Sequence, residues 1–503
     1  MLKTAAIFSD NMVLQRGKNV TLWGECDEAG TVAAEINGCC GCGTVRDGKW
    51  RLALPPMQAG GPYELTLSLN GSEVRRFYNV MIGEVWLCGG QSNMELELQN
   101  EKNGKQELAA LNAGVPIRFY YTNKVGTVEE AIEKEKNTGW GVADPEGSRA
   151  WSAVGYYFAK KLSADLGVTV GLVGCNWGGT SATCWIDTDH ITGNAELAPY
   201  MDEFRANTEG KSLEQQKKEY DEYVEYDRLW NEKAQEVYKT EPNIGWQELQ
   251  DKIGKNLWPG PKNSFNPFSP GRMYESMLMR VCPYTLAGFL YYQGESDDHR
   301  PQSYYTLFTT LIRLWRERWE DDALPFILVQ LPAFKYAADP DYKHWCLIRE
   351  AQLRAFNTVK NTGIAVAIDC GEFDNIHPVD KHVVGERLCL QSEQLVYGTE
   401  SDAFGPMYRS FMTDGDKLCL AFDHAEDGLE VKGDSITGFE LAGEDKEFRP
   451  AEAEIIGDKI ILSAAGISAP VYARYAWGNF PEYSVFGSSG IPLAPFRTSR
   501  NDE

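Results

Sequence analysis

The sequence predicts an α/β protein, in which a parallel sheet with helices on both faces is flanked by N- and C-terminal β-sandwich-like domains. Both ends of the chain alternate apolar and polar residues, whereas the middle alternates short apolar runs with helix-like stretches. The length of 503 residues also exceeds what one hydrophobic core usually serves. We therefore divide the chain into domains at 1–80, 81–398 and 399–503.

The N-terminal domain is indicated by segments such as "NVTLWGECDEAGTVAAEING" and "YELTLSLNGSEVRRFYNV". They have strand periodicity, with Gly, Asn and Asp at the breaks, and their total length suits a small β-sandwich. Cys39, Cys40 and Cys42 lie together in "NGCCGCG". Because no second Cys/His cluster has the spacing of a zinc site, we interpret this stretch as a Gly-rich β-turn and predict no metal.

The central domain contains the apolar runs "GEVWLCGG", "VTVGLVGCNWGG", "LAGFLYYQGE", "PFILVQLPAF" and "GIAVAIDCGE". Helix-like stretches such as "SAVGYYFAKKLSADLG" and "WCLIREAQLRAFNTVKN" separate them, which predicts a parallel sheet with its ligand site beyond the carboxyl ends of the strands. Residues at about 200–250 are highly charged and are predicted to form a helical insertion with a solvated face.

The C-terminal domain is indicated by a return to strand periodicity in "KLCLAFDHAEDGLEVKG", "AEIIGDKIILSA" and "PVYARYAWGN". Its Tyr475 and Trp477 are expected in a core rather than at a ligand.

The charge and composition exclude several classes of partner. Lys and Arg number 49 against 73 Asp and Glu, and the resulting net charge of −24 argues against nucleic acid and anionic membranes. The sequence contains no run of about 18 apolar residues, so no membrane span is expected. The start lacks the apolar region of a secretory signal, and the 12 cysteines suggest no disulfide framework, so we expect a cytoplasmic protein unless a signal has been removed. The oligomeric state is left open.

A single serine in "VWLCGGQSNMEL" raises the question of function. Ser92 follows a buried strand and precedes a helix expected from Asn93, so it could cap the helix, line a turn or act as a nucleophile. The motif is not G-x-S-x-G, because Met94 stands where the last Gly would be, which disfavours an α/β-hydrolase elbow.

A nucleophilic serine needs a base, and His377 in "IDCGEFDNIHPVDKHVVGERL" follows a strand end as such a base should. His299 in "GESDDHR" is the main rival, whereas His382 is expected on the following helix, pointing elsewhere. A base must be neutral, so activity should fall on the acid side of a pKa of about 6–7.

The base in turn needs a carboxylate to orient it. Asp374 precedes His377 by three residues, a spacing that lets the carboxylate meet Nδ1 while Nε2 faces the serine. Asp369 and Asp380 remain rival candidates for this role.

An oxyanion hole needs hydrogen-bond donors at the strand ends. The N–H of Ser92 is one candidate, and "CNWGGTSATCW" offers a second from Gly178 or Gly179. The side-chain amide of Gln293 in "YYQGESD" is a third.

The order GQSNM, WGGTS, QGES, DNIHP resembles the SGNH hydrolases, in particular the sialate O-acetylesterase-like family. The resemblance implies a flavodoxin-like three-layer catalytic domain and a serine carbohydrate acetylesterase that needs no cofactor or metal. It assigns catalysis to Ser92, His377 and Asp374, and the oxyanion hole to Ser92, Gly179 and Gln293. Gln293 stands where the broader superfamily has Asn.

The resemblance extends to "IFSDNMVLQRGKNVTLWGECDEAG" near the start and "YARYAWGNFPEYSVFGSSGIPLAPFRT" near the end, and thus spans most of the chain. The insertion at 200–250 matches no motif of the family. An acetylated carbohydrate is therefore the expected partner.

The acetylated sugar itself is not determined. The family favours O-acetyl groups on sialic acid, but neutral acetylated xylan or mannan suits the acidic chain without a cation for the sialate carboxylate. Arg349 is a candidate cation, or lies on a helix surface or in a structural salt bridge. Trp177 and Trp185 could stack on sugars or be buried. Glu295 could orient a catalytic group, bind sugar hydroxyls or hydrogen-bond within its own loop.

Two other classes of function compete with the esterase. A carbohydrate-binding protein on an inactive scaffold would not need the chemistry of the serine and histidine. A glycosidase would need paired carboxylates, and Glu295, Asp297 and Asp298 cluster on a single loop.

Overall fold

The computed structural model describes residues 1–242, 244–336, 339–399 and 402–502. It is a mixed α/β structure with one large mixed sheet and several smaller sheets. The N-terminal strands are β1 (Leu2–Thr4), β2 (Val13–Gln15), β3 (Val20–Cys26), β4 (Thr31–Ile36), β5 (Cys39–Thr44), β6 (Lys49–Leu54), β7 (Gly60–Leu69) and β8 (Ser72–Gly90).

The cysteine-rich stretch is a strand and not the turn that the sequence suggested. Cys39, Cys40 and Cys42 lie in β5, which pairs antiparallel with β4. The turn is made by Asn37 and Gly38, whose φ angles of 50° and 74° suit the two central positions of a tight hairpin turn. Because those two residues complete the reversal, the chain is already extended at Cys39.

The central sheet contains β9 (Ile117–Tyr121), β10 (Gly141–Val142), β11 (Val170–Asn176), β12 (Gly288–Tyr292), β13 (Phe326–Gln330) and β14 (Thr362–Val366). The strand order is β10-β9-β11-β8-β12-β13-β14, and all neighbours are parallel except β10 with β9. Every residue of β11 to β14 is buried, as expected for strands covered on both faces.

Strand β8 is 19 residues long and contains the predicted boundary between 80 and 81. Its first part pairs antiparallel with β7, from Ser72 to Ile82. Its last part, Glu84–Gly90, pairs parallel with β11, and Trp86–Gly90 pairs parallel with β12. The strand that ends before Ser92 therefore lies in the middle of the parallel sheet.

The helices are α1 (Ser92–Glu95), α2 (Gly104–Ala110), α3 (Val128–Glu135), α4 (Ala153–Leu166), α5 (Thr188–Thr192), α6 (Asp202–Thr208), α7 (Leu213–Thr240), α8 (Trp246–Ile253), α9 (Met279–Val281), α10 (Pro301–Arg318), α11 (His344–Thr358) and α12 (His382–Ser392). Helices α4 and α11 coincide with the two helix-like stretches quoted above. In the described residues, no helix has both the length and the apolarity that crossing a membrane requires.

Residues 123–137 and 180–280 form a compact unit of their own, larger than the insertion predicted at 200–250. The long helix α7 begins with a capping box, in which Ser212 and Gln215 exchange side-chain to backbone hydrogen bonds. Within this unit, Trp230 and Ala234 of α7 pack against Leu249 of α8. The charged segment is thus a helical pair joined by a small apolar core.

The C-terminal strands are β15 (Met407–Asp414), β16 (Lys417–Asp423), β17 (Leu429–Val431), β18 (Phe439–Ala442), β19 (Arg449–Pro450), β20 (Glu452–Ile456), β21 (Lys459–Ser463), β22 (Tyr472–Tyr475), β23 (Val485–Gly487) and β24 (Phe496–Arg497). They form two four-stranded sheets and one two-stranded sheet. Tyr475 lies in the apolar core between them, and Trp477 is also buried.

Candidate active site

Ser92 lies at the carboxyl end of β8 with its hydroxyl directed at His377. Ser92 is the first residue of α1, and the preceding Gln91 occupies the capping position without a side-chain cap. The Oγ of Ser92 lies 2.8 Å from Nε2 of His377. Because the hydroxyl does not cap the helix, it is available to a base, as a nucleophile requires.

The residues before Ser92 are held against the loop that follows β12. A Cβ at Gly90, whose φ is 127°, would lie 2.1 Å from the carbonyl oxygen of Tyr292, so only glycine fits there. The N–H of Gln91 donates to that same carbonyl at 3.0 Å. Its side-chain oxygen accepts from the N–H of Ser296 at 3.2 Å. These contacts fix the start of α1 between two strand ends.

The two glycines of "WGG" differ in what their N–H groups contact. The N–H of Gly178 donates to the carboxylate of Glu95, and a Cβ at Gly178 would lie 3.2 Å from the Cβ of Ser92. Gly179 has a φ of 73°, and its N–H has no hydrogen-bond partner in the described part of the chain. Of the two alternatives, Gly179 therefore has the N–H that is open to an oxyanion.

Gln293 lies in a buried network behind the strand end. Its Nε2 donates to Oδ2 of Asp297 at 2.6 Å, and its Oε1 accepts from the hydroxyl of Tyr304 at 2.9 Å. These bonds hold the loop after β12 and do not involve Ser92. The oxyanion role of Gln293 stays a prediction.

The two rival carboxylates near His377 are engaged elsewhere. Oδ2 of Asp369 accepts from Nη2 of Arg387 at 2.8 Å, and Oδ2 of Asp380 accepts from Nζ of Lys102 at 3.1 Å. Neither forms a hydrogen bond with His377 in the described residues.

Asp374 lies on the loop of His377 but is not hydrogen-bonded to it. Asp374 is exposed, has a left-handed φ of 63°, and donates its backbone N–H to the carbonyl of Lys335 at 2.8 Å. The N–H of His377 is held instead by Oδ1 of Asn375, at 3.0 Å. Among the described residues, the predicted Ser–His–Asp arrangement is thus present as a Ser–His pair, and the role of Asp374 stays a prediction.

The other histidines lie in different surroundings. Nε2 of His382 lies 3.1 Å from Glu386 on α12. His299 is exposed and forms no hydrogen bond with Ser92 in the described residues. The structure therefore brings His377, and not the rival His299, to the serine.

A buried polar network behind Ser92 escaped the sequence analysis. Asn93 is 1% exposed and donates from Nδ2 to Oε1 of Glu295 at 2.6 Å and to the carbonyl of Ile376 at 3.0 Å. Its Oδ1 accepts from Nζ of Lys381 at 2.6 Å. The network connects the chain after β8 to the loops after β12 and β14. In the sequence, only the polar residue Asn93 beside Ser92 indicated this network.

Glu295 is 5% exposed and accepts a hydrogen bond from Asn93 in this network. Its contact with sugar hydroxyls stays a prediction. Burial raises the pKa of Glu295, whereas the hydrogen bond from Asn93 and the charge of Lys381 oppose that rise. Burial likewise lowers the pKa of Lys381 to about 8. The side chains of Glu295 and Lys381 thus both hydrogen-bond to the buried amide of Asn93.

The surroundings of His377 favour its neutral form. Partial burial lowers its pKa, the positive charge of Lys381 lowers it further, and the negative charge of Glu95 opposes both. A lowered pKa keeps the imidazole unprotonated near neutral pH, which is the form that can accept a proton from Ser92.

The remaining substrate-binding candidates are placed differently from one another. Trp177 is half-buried, and its backbone N–H donates to the carbonyl of Gly90, two residues before Ser92, at 3.2 Å. Trp185 is fully buried, and its Nε1 donates to Thr180 at 3.0 Å. Only the first of these two tryptophans has a partly open surface.

Arg349 cannot serve a substrate carboxylate, because it is fully buried. Its guanidinium donates to the carbonyls of Pro332, at 3.3 Å, and of Gly478. Arg349 thus joins α11 to the C-terminal region through backbone oxygens and not through the salt bridge considered above.

One group of side chains in the described residues has the spacing of a metal site. Asp165, Cys389 and Glu393 offer atoms within 4.8 Å of one another. Nζ of Lys161 lies 2.7 Å from Oδ2 of Asp165, so an ammonium already neutralises part of the group. None of these residues touches the Ser–His pair in the described contacts.

Comparisons with known proteins find carbohydrate esterases. A family model described as carbohydrate esterase, sialic acid-specific acetylesterase, matches residues 257–390. Sialate O-acetylesterase of Mus musculus is 26% identical over 98% of this chain and 93% of its own, and that of Homo sapiens is 26% identical over 98% and 91%. The crystal structure of a novel carbohydrate acetylesterase from Xanthomonas citri superposes with a TM-score of 0.79 at 28% identity, covering 99% of this chain and 100% of that one.

Proposed function

We propose that this chain, a carboxylic ester hydrolase similar to the sialate O-acetylesterases, belongs to their family of carbohydrate esterases and removes acetyl groups from sugar hydroxyls by serine catalysis. The contact of 2.8 Å between Oγ of Ser92 and Nε2 of His377 carries this proposal. The strand order β11-β8-β12-β13-β14 supports the finer assignment to a flavodoxin-like three-layer SGNH domain.

The reaction follows from the position of the pair. Nε2 of His377 accepts the hydroxyl proton as Oγ of Ser92 attacks the acetyl carbonyl carbon. The tetrahedral intermediate collapses when the sugar oxygen leaves with the proton from His377, and an acetyl-enzyme remains. Water then loses a proton to His377, attacks the acetyl group and releases acetate, which restores Ser92.

The oxyanion would be held by backbone donors. The N–H groups of Ser92 and Gly179 are proposed for this role, and the unoccupied N–H of Gly179 supports the second. Gln293 remains the third proposed donor. Donors that already point at the developing charge need no reorganisation during the reaction.

Asp374 is the proposed partner of Nδ1 of His377. Its carboxylate is exposed and forms no hydrogen bond or ion pair in the described residues, whereas Asp369 and Asp380 are occupied. Asp374→Asn should lower kcat by about 10²-fold or more, since the imidazolium would lose its stabilising charge. An unchanged kcat would mean that His377 acts without this carboxylate.

Hydrolysis of p-nitrophenyl acetate by Ser92→Ala tests the nucleophile. We expect kcat to fall by at least about 10³-fold, because no other group supplies the acyl-enzyme. Ser72→Ala, at an exposed serine that begins β8, is the matched control and should retain full activity. Equal activity of Ser92→Ala and the wild type would refute serine catalysis, and an inactive wild type would favour a binding protein.

Sialic acid esters are the substrates that the relatives' names suggest, but one observation favours neutral acetylated xylan or mannan as an alternative. The cation proposed for the sialate carboxylate, Arg349, is buried, and the chain carries a net charge of −24. Acetate release from 9-O-acetylated sialic acid, acetylated xylan and acetylated mannan, measured side by side, decides between these substrates. Intact glycosidic bonds after digestion would exclude a glycosidase.

A further inference from the structure

Exposed aromatic side chains gather on the loops around His377. Phe373 is 54% exposed and precedes His377 by four residues. Phe480 is 39% exposed, and Tyr336 is 47% exposed. Burial of a large aromatic side chain is favourable, so exposed aromatic side chains beside a reactive pair indicate a ligand-binding surface.

Phe373 and Phe480 contact each other although they belong to distant parts of the sequence. Their ring centroids lie 5.7 Å apart at an interplanar angle of 84°. Phe373 comes from the loop after β14, whereas Phe480 comes from the C-terminal region between β22 and β23. The edge-to-face contact leaves much of each ring accessible.

Hydrogen bonds hold the three loops together. The N–H of Asp374 donates to the carbonyl of Lys335 at 2.8 Å, which joins the loop of Phe373 to that of Tyr336. The N–H of Phe334 donates to the carbonyl of Asn479 at 3.0 Å, which joins the loop of Tyr336 to that of Phe480.

The loop of Phe480 is itself anchored from below. Asn479 is buried, donates from Nδ2 to Asp339 at 2.9 Å, and accepts the N–H of Trp345 at 3.1 Å on Oδ1. Because buried hydrogen bonds hold the backbone next to it, Phe480 has little freedom to move away. A binding surface with fixed side chains loses less entropy when a ligand arrives.

We propose that Phe373 and Phe480, the aromatic platform, bind a neutral pyranose ring of the glycan from which the acetyl group is removed. This inference rests on the proposed esterase function. The acetyl carbonyl must lie at Ser92 and His377, so the sugar that carries it extends into the space beside the loop of His377, where Phe373 stands. Aromatic faces suit the apolar C–H faces of a pyranose.

The charges beside the aromatic platform favour a neutral sugar over an anionic one. Asp374 is exposed next to Phe373, and its carboxylate would repel a sialate carboxylate. Lys335, whose carbonyl accepts the N–H of Asp374, has its Nζ 3.7 Å from Oδ2 of Asp341, which offsets its charge. Lys381 is buried. The aromatic platform therefore fits an acetylated xylan or mannan chain.

The test compares a glycan with an ester that has no sugar. For Phe373→Ala and Phe480→Ala, the ratio of kcat/KM on acetylated xylo-oligosaccharide to kcat/KM on p-nitrophenyl acetate should fall about 10-fold, mainly through a higher KM for the oligosaccharide. Phe373→Trp and Phe480→Tyr keep an aromatic ring and should restore the ratio, which separates binding from loss of folding. Tyr78→Ala, at an aromatic residue of β8 that is 52% exposed, should leave the ratio unchanged.

Each other outcome overturns a distinct part of the reasoning. An unchanged ratio in both alanine variants refutes the aromatic platform and leaves serine catalysis standing. A wild type that hydrolyses p-nitrophenyl acetate and acetylated sialic acid but not acetylated xylo- or manno-oligosaccharides refutes the neutral sugar. A wild type that hydrolyses none of these esters refutes the proposed function itself.

Discussion

Asn93→Ala should destabilise the protein more than any exposed substitution near the active site. The amide of Asn93 bridges three partners: Oε1 of Glu295 at 2.6 Å, the carbonyl of Ile376 at 3.0 Å and Nζ of Lys381 at 2.6 Å. Alanine removes all three bonds and leaves a buried carboxylate and a buried ammonium with fewer partners.

The magnitude follows from the kinds of bond that are lost. Two bonds to charged groups contribute about 1.5–3 kcal/mol each and the bond to a neutral carbonyl about 1 kcal/mol, which sets a ceiling of about 4–7 kcal/mol. Glu295 and Lys381 remain close enough to attract each other, and water can enter the space that the amide leaves. We therefore expect the free energy of unfolding to fall by about 3–5 kcal/mol.

Urea unfolding followed by tryptophan fluorescence measures this loss through the midpoint and slope of the transition. Asn100→Ala is the matched control: Asn100 is exposed, and its change should stay within about 0.5 kcal/mol. A loss below about 1 kcal/mol for Asn93→Ala would refute the reasoning, because the amide would then not be the shared partner of the two charges. We also expect kcat to fall, since Asn93 holds the carbonyl of Ile376 next to His377.

Two further predictions concern the catalytic pair. Lys381→Met removes a positive charge that lowers the pKa of His377, so the acid limb of the pH profile of kcat/KM should move to higher pH. Glu95→Gln removes a negative charge that raises this pKa, so the acid limb should move to lower pH. Profiles on p-nitrophenyl acetate that shift in the same direction would contradict this assignment. Gly178→Ala would place a Cβ 3.2 Å from the Cβ of Ser92 and should lower kcat about 10-fold by displacing the nucleophile. Steady-state kinetics with an unchanged kcat would show that the neighbouring chain yields without moving Ser92.

The parts of the fold that local patterns encode could be predicted. Strands covered on both faces must be apolar throughout, so β11 to β14 stand out in the sequence, and their ends mark where polar segments meet. The pairing of Ser92 with His377 could be anticipated for the same reason. The course of β8 could not, because its polar half and its apolar half resemble two separate strands.

The buried network could not be predicted, because its members are far apart in the chain. Asn93 is 202 residues from Glu295 and 288 from Lys381, and no local pattern signals such contacts. Arg349 shows the same limit, since its partners are backbone carbonyls that any residue carries. Burial of a charged side chain is decided by what packs over it, and that depends on the complete fold.

The uninterrupted course of β8 means that the N-terminal region is not a removable module. Removing residues 1–80 would cut through β8, the strand that ends just before Ser92. Successive side chains of a strand face opposite faces of the sheet. Inserting or deleting one residue between Ser72 and Gly90 would therefore turn every side chain before or after the change to the opposite face. Chimeras with related enzymes should therefore join the chain before Ser72, so that the serine and its supporting strand are inherited together.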